Sequence, residues 1–222
     1  MTVQRLRLLG TMLAGLAVLA ACSSEKADLD AFKGARAVLG AIGKKPSANS
    51  LEPTLTRAQA DASALPLLVA TIESRNSTAV LARFSTNAGT ETFTTPDRTM
   101  ITTRDGVMIS TRGLGADLMS AAVPTRAQIA AGSGSHRRVH DTLNGGDVTV
   151  RNAFDCTLST GASETVTIVG LSYPTRTVAE SCSGTTGTFE NRYWIDSRGI
   201  IRQSRQWADA DLGYLRLSNP SR

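Results

Sequence analysis

Between Val148 and Leu158 apolar and polar residues alternate: Val148, Val150, Phe154, Cys156 and Leu158 fall on one side, Thr149, Arg151, Asp155 and Thr157 on the other. A period of two puts successive side chains on opposite faces of a strand, so this stretch reads as a half-buried β-strand rather than a helix. Similar runs recur at 164–170, 176–183, 187–196, 200–208 and 213–218, with Ser197-Arg198-Gly199 as a tight reversal. Upstream, Leu68, Ala70 and Ile72 alternate with their neighbours, and Thr78 to Ser85 and Thr90 to Thr94 read as further strands. Met100 to Arg104 and Val107 to Thr111 flank Asp105-Gly106, a pair suited to a two-residue hairpin because both turn positions need positive φ. Ten or eleven short strands predict a mainly β fold. The expected form is a large antiparallel curved sheet, half-barrel or sandwich, with an N-terminal amphipathic helix.

That helix is expected within 25–45, where Leu29, Phe32, Val38, Leu39 and Ile42 recur at spacings near three and four before Pro46 stops the run. A second helical turn is expected around Thr56 to Ser63. Residues 112–146 break the strand period. A helical stretch is expected to reach Ile129, followed by a mobile loop that lies between Gly132-Ser133-Gly134-Ser135 and Asn144-Gly145-Gly146 and holds both histidines.

At the other end of the chain, Arg5 and Arg7 precede an uncharged run from Leu8 that ends in Leu19-Ala20-Ala21-Cys22. This is the layout of an export signal. At ~1.5 Å per helical residue the run falls short of a ~30 Å hydrocarbon core. The tetrapeptide resembles the lipobox of bacterial lipoproteins, which implies that Cys22 is acylated and becomes the mature N-terminus. The resulting divisions are 1–21, leader; 22–54, lipidated N-terminus, helix and linker; and 55–222, one β-rich periplasmic domain. Several acyl chains at ~0.8 kcal/mol per buried CH₂ anchor stably. Ser23 and Ser24 follow Cys22 with no Asp at the second mature position, which points to the periplasmic face of the outer membrane.

With Cys22 acylated, Cys156 and Cys182 remain. In an oxidising compartment a disulfide is expected, the rivals being two free buried thiols or a metal pair. Closing a loop of about 27 residues stabilises a fold by roughly 3–4 kcal/mol on the chain-entropy model. The two cysteines fall on the first and third of three consecutive expected strands, about 9–10 Å apart in a simple meander and too far for a bridge. Either their strands pair directly while 164–170 lies elsewhere, or the bridge staples facing parts of a curved sheet.

Of the 24 basic residues two lie in the leader, leaving 22 against 19 acidic ones, without a dense basic stripe. That excludes a nucleic-acid site of the usual kind. Gly113-Leu114-Gly115 has Leu118 where a dinucleotide loop needs its third glycine. Ser135, His136, His140 and Asp141 crowd one stretch, whereas a working triad draws on separate rigid elements. Two histidines without an HExxH spacing offer little to zinc. No catalytic residue, metal site or cofactor is assigned. A glycan-cleaving enzyme would need two carboxylates about 5–10 Å apart, for which Asp155 and Glu190 are candidates.

The C-terminal strands carry polar groups where apolar ones are expected. Asn191 shares a face with Phe189, Tyr193 and Ile195; Gln203 and Arg205 share one with Ile201 and Trp207. Such groups either pair internally or line a wet cleft. Aromatic rings beside amides and Arg suit a sugar, the ring taking C–H edges and the polar groups taking hydroxyls. Tyr193, Trp194, Arg205 and Trp207 are therefore the candidate contacts with a glycan or a protein partner, and adjacent Tyr193 and Trp194 point to opposite sides.

The segments Arg104 to Leu118, Glu190-Asn191-Arg192-Tyr193-Trp194-Ile195-Asp196 and Ile201-Arg202-Gln203-Ser204-Arg205-Gln206-Trp207 together resemble the YjbF (GfcB-like) group 4 capsule polysaccharide lipoprotein family. The resemblance runs from about Leu67 to about Leu217. It implies an outer-membrane-anchored lipoprotein of capsule or exopolysaccharide export, largely antiparallel β, with no enzymatic activity. The expected function is to assist polysaccharide assembly or export by binding the glycan or an export component. The alternative is a lipid or lipoprotein carrier, a helix-capped half-barrel with an apolar cavity.

Overall fold

The computed structural model describes residues 55–221. The leader, Cys22 and the 25–45 helix lie outside the described residues.

Twelve strands form one antiparallel sheet: β1 (Leu67–Ile72), β2 (Ser77–Asn87), β3 (Thr90–Thr94), β4 (Met100–Arg104), β5 (Val107–Arg112), β6 (Leu118–Ala122), β7 (Ser133–Leu143), β8 (Thr149–Ile168), β9 (Leu171–Gly184), β10 (Gly187–Ile195), β11 (Ile201–Asp209) and β12 (Gly213–Ser218). The order across the sheet is β5-β4-β3-β2-β1-β12-β11-β10-β9-β8-β7-β6. Two meanders therefore join where β1 pairs with β12. At Asp105-Gly106 both residues have positive φ, 52° and 88°, as the hairpin requires. Helix α1 (Arg57–Ala62) starts at a capping box between Thr56 and Gln59. A 3₁₀ turn, Glu73–Arg75, links β1 to β2.

The outer strands β5 and β6 approach each other and nearly close the sheet into a barrel. Side chains bridge this seam. Arg112 donates to the carbonyls of Leu118 and Met119, each at 3.1 Å, while Thr111 Oγ1 accepts from the Leu118 N–H and donates to Asp117. Edge groups are satisfied without a continuous ladder. The interior is packed: Leu68, Leu81, Phe93, Ile101, Met108, Leu118 and Leu215 form one cluster, and Val107, Ile129, Leu158, Val178, Tyr193 and Ile201 another. Gln206 reaches across it, accepting from the Met108 N–H at 3.0 Å. The pocket lined by Leu68, Phe93, Thr103, Gly106, Ile201 and Ser204 measures about 40 Å³, room for only a few waters. A lipid carrier needs an apolar chamber where these side chains sit.

Three expectations change. The strand expected at 164–170 is the end of β8, which runs on to Ile168, and the lapse in alternation before it is a register shift between Thr160 and Ser163. A bulge, not a turn, lies there. Gly161 occupies the shift because Thr177 leaves no room for a Cβ. With β8 continuous and paired to β9, Cys156 faces Cys182 directly, Cα atoms 4.1 Å apart, and the two form a disulfide.

The middle of the chain is also more ordered than expected. The expected helical stretch is present at Ile129 only as the short helix α2 (Arg126–Ala131), after β6, and β7 stands where a mobile loop was expected. Gly132, at φ 65°, ends α2 in the left-handed region. The histidines lie on β7, where His136, Arg138 and His140 share the inward face. Their polarity hides the strand period.

Finally, Gln203 and Arg205 do not share the inward face with Ile201. The ladder pairs Ile201 with Ile195 but Gln203 with Trp194. Arg202 is the extra residue of a bulge, and beyond it Ser204, Gln206 and Ala208 point inward and are buried.

Candidate functional site

Polar groups meet inside the barrel around Glu180. Arg138 Nε donates to Glu180 Oε1 at 2.9 Å and Arg138 Nη2 to Oε2 at 3.1 Å. Asn191 Nδ2 and the Tyr193 hydroxyl donate to Oε2 at 2.8 and 2.7 Å, and His136 Nε2 lies 2.8 Å from Oε1. Burial alone would raise the Glu180 carboxyl, but the Arg138 charge and the hydrogen bonds from His136, Arg138 and Asn191 outweigh it and hold the group below the usual carboxylate range. Burial raises the Tyr193 hydroxyl far above its ordinary value, reinforced by the Glu180 charge. His140 Nδ1 lies 3.2 Å from the Ala208 carbonyl and Nε2 lies 3.3 Å from Arg138 Nη1. Burial, then the Arg138 charge, pulls His140 down to about 3. It is a neutral imidazole whose Nδ1–H donates to Ala208.

This cluster ties β7, β9 and β10 together. His136, Cys156 and Glu180 bring atoms of metal-ligand type within 4.8 Å of one another. The Cys156 sulfur is spent in the disulfide, however, and Glu180 is saturated by its donors. The interior is a polar core built around Glu180, with His136 Nδ1 buried and without a hydrogen-bond partner among the described residues, and sequence reasoning missed it because Arg138 and Glu180 lie 42 positions apart.

The outer face offers a different arrangement. Ladder registers put Arg192, Arg205 and Arg216 directly opposite one another across β10, β11 and β12. Like charges in that position repel. Glu73 relieves part of it, accepting from Arg205 Nε at 2.9 Å and from Arg216 Nη2 at 3.0 Å. Arg205 lies over the Tyr214 ring, 3.4 Å from its centroid, a stacked geometry worth about 0.5–1 kcal/mol when exposed.

One rung further, Trp207 lies opposite Tyr214. Beyond Arg192 and Arg205 the β10–β11 ladder ends, and side chains fill the gap. The Tyr214 hydroxyl accepts from the Glu190 N–H at 3.2 Å, and Asn191 Oδ1 accepts from the Trp207 N–H at 2.7 Å. The half-buried Trp207 ring stacks on Phe189, centroids 4.6 Å apart, and on His140. Alongside runs an open groove of about 570 Å³, lined by Asp155, Thr157, Ser181, Ser183, Thr188, Phe189 and Glu190. That size and mixture of ring, hydroxyl and carboxylate fit a polar small molecule or a short stretch of polymer.

The four candidate contacts thus separate. Tyr193 is wholly buried in the Glu180 cluster. Trp194, on the opposite side as expected, is also buried, packed with Val166, Ile168 and Tyr173 while its Nε1–H donates to Glu164 at 2.7 Å. Arg205 and Trp207 keep a place at the surface, joined by Tyr214, Arg192 and Arg216. Asp155 and Glu190 do line one groove. Their side chains are 87 % and 51 % exposed and lie beside Arg137 and Arg192, unlike the dry pocket that keeps a catalytic carboxylic acid protonated.

Residues 31–219 match the family described as "Group 4 capsule polysaccharide lipoprotein gfcB, YjbF". The fold is similar to the crystal structure of the hypothetical lipoprotein YmcC from Escherichia coli (K12), with a TM-score of 0.69 at 16 % identity over 76 % of this chain and 89 % of that one. No curated protein matches in sequence.

Proposed function

The chain belongs to the group 4 capsule polysaccharide lipoprotein family, and from that premise we propose that it assists capsule or exopolysaccharide assembly or export as a non-enzymatic binding protein. It is held by lipid on Cys22 at the periplasmic face of the outer membrane. It contacts the glycan through the outer face of β10–β12, where Trp207 and Tyr214 touch the groove residues Phe189 and Glu190 and Arg205 stacks on Tyr214.

The observation that carries this reading is the pairing of Trp207 with Tyr214 beside a groove edged by hydroxyls. Ring faces take the apolar edges of sugars, and Thr157, Ser181, Ser183 and Thr188 offer hydrogen bonds. Among the described residues the packed interior gives no comparable support to a lipid carrier.

The test is complementation of a deletion strain with Trp207→Ala or Tyr214→Ala, measuring surface polysaccharide together with the amount and lipidation of the protein. Loss of polysaccharide at a normal protein level is expected. Full polysaccharide output from both variants would overturn the assignment of this face.

A further inference from the structure

We propose that the polymer bound on this face is anionic, its carboxylates or phosphates taken by the row Arg192, Arg205 and Arg216. The inference rests on the reading of the same face as a glycan contact and adds the charge of the glycan.

Three arginines directly opposite one another on adjacent strands are an unfavourable arrangement unless anions share the space. Among the described residues two carboxylates meet the row. Glu73 serves Arg205 and Arg216 together. Glu190 meets Arg192 at 3.4 Å with both side chains about half exposed, too open a pair to neutralise much charge. Three guanidinium groups against two carboxylates leave a positive excess on the row.

Donors are left over as well. Among the described residues Glu73 uses only Nε of Arg205 and only Nη2 of Arg216. The side chains of Arg192, Arg205 and Arg216 are 47 %, 33 % and 42 % exposed, so the remaining N–H groups are reachable from solvent. Stacking on Tyr214 fixes the plane of the Arg205 guanidinium in advance. A planar fork held in place suits carboxylate or phosphate, which it can bind bidentately. At strand spacing the row spans roughly 10 Å, a length that fits a short run of sugar rings rather than one isolated ion.

An anionic membrane surface would satisfy the same charges, but it favours exposed apolar side chains that can enter the lipid. Among the described residues the exposed large apolar ones, Phe84, Leu143, Val148 and Val150, lie on β2 and around the β7–β8 hairpin, not on β10–β12. Trp207, Tyr214 and the hydroxyl-lined groove border the arginines instead.

The experiment measures binding of the full-length lipoprotein, purified in neutral detergent, to polygalacturonate, to dextran and to phosphatidylglycerol vesicles, at low and high salt. The expected result is binding to polygalacturonate that weakens with salt and falls about tenfold in Arg192→Gln or Arg216→Gln at unchanged melting temperature. Dextran should bind far more weakly. Equal, salt-insensitive binding of dextran and polygalacturonate, lost in Trp207→Ala but not in the arginine variants, would overturn the anionic assignment and leave the glycan contact standing. Arginine-dependent binding to the vesicles but not to polygalacturonate would overturn it in favour of a lipid surface. Binding of no probe, with Trp207→Ala secreting polysaccharide normally, would remove both readings.

Discussion

Arg138 and Glu180 form a two-pronged ion pair inside the barrel, both side chains fully buried and joined by hydrogen bonds of 2.9 and 3.1 Å. The pair joins β7 to β9, with β8 between them. Taking two charges out of water is costly, and here every oxygen of Glu180 receives further donors, so the cost is offset only while all partners stay in place.

Removing one partner should therefore be far worse than removing both. Glu180→Gln is expected to cost about 3–5 kcal/mol because Arg138 is left charged and buried. Arg138→Met with Glu180→Gln should recover a large part of that loss. Urea unfolding of the two single variants and the double variant measures the coupling, and simple additivity would contradict it.

Stability should fall on acidification. The folded His140 is pulled down to about 3, while an unfolded histidine titrates near 6.5. Between these values the unfolded chain binds the extra proton, so stability is lost as pH drops from about 6.5 toward 3, in total on the order of 5 kcal/mol. Glu180, held low in the folded state, adds a loss of the same sign as pH falls below the ordinary carboxylate range. Unfolding free energies measured across this range should show a shallower slope above pH ~4.5 in His140→Gln, and an unchanged slope would contradict the assignment.

The disulfide joins directly paired strands. Cys156→Ala with Cys182→Ala should lower stability by about 3 kcal/mol without changing the register, since the β8–β9 ladder continues on both sides of the bridge. Thermal melts of the double variant, and of the wild type with and without reductant, measure this. Equal melting temperatures would show that the bridge adds nothing.

Cys22 follows Leu19-Ala20-Ala21. Cys22→Ser should leave an unlipidated precursor, because a serine hydroxyl cannot form the thioether. Fatty-acid labelling is the readout, and wild-type incorporation in the variant would refute acylation at this position.

What the sequence determined by itself is local. Alternation placed most of the strands, with β3, β4 and β12 at the expected limits, because a strand half exposed to water must alternate. Asp105-Gly106 marked its hairpin because few residue pairs accept positive φ twice. The segments shared with the capsule lipoprotein family were legible as an ordered set. Only the tertiary structure decided the rest. The inward face of β7 looked like a polar loop until Glu180, Asn191 and Tyr193 were brought to His136 and Arg138 from distant positions. A single-residue bulge at Arg202 put Ser204 and Gln206 inside and Arg205 outside. The row of Arg192, Arg205 and Arg216 exists only as a register between three strands. Spacing along the chain carries the period of each strand, but which residues stand opposite one another depends on bulges and on partners far away, and that pairing made both the buried charge cluster and the candidate face.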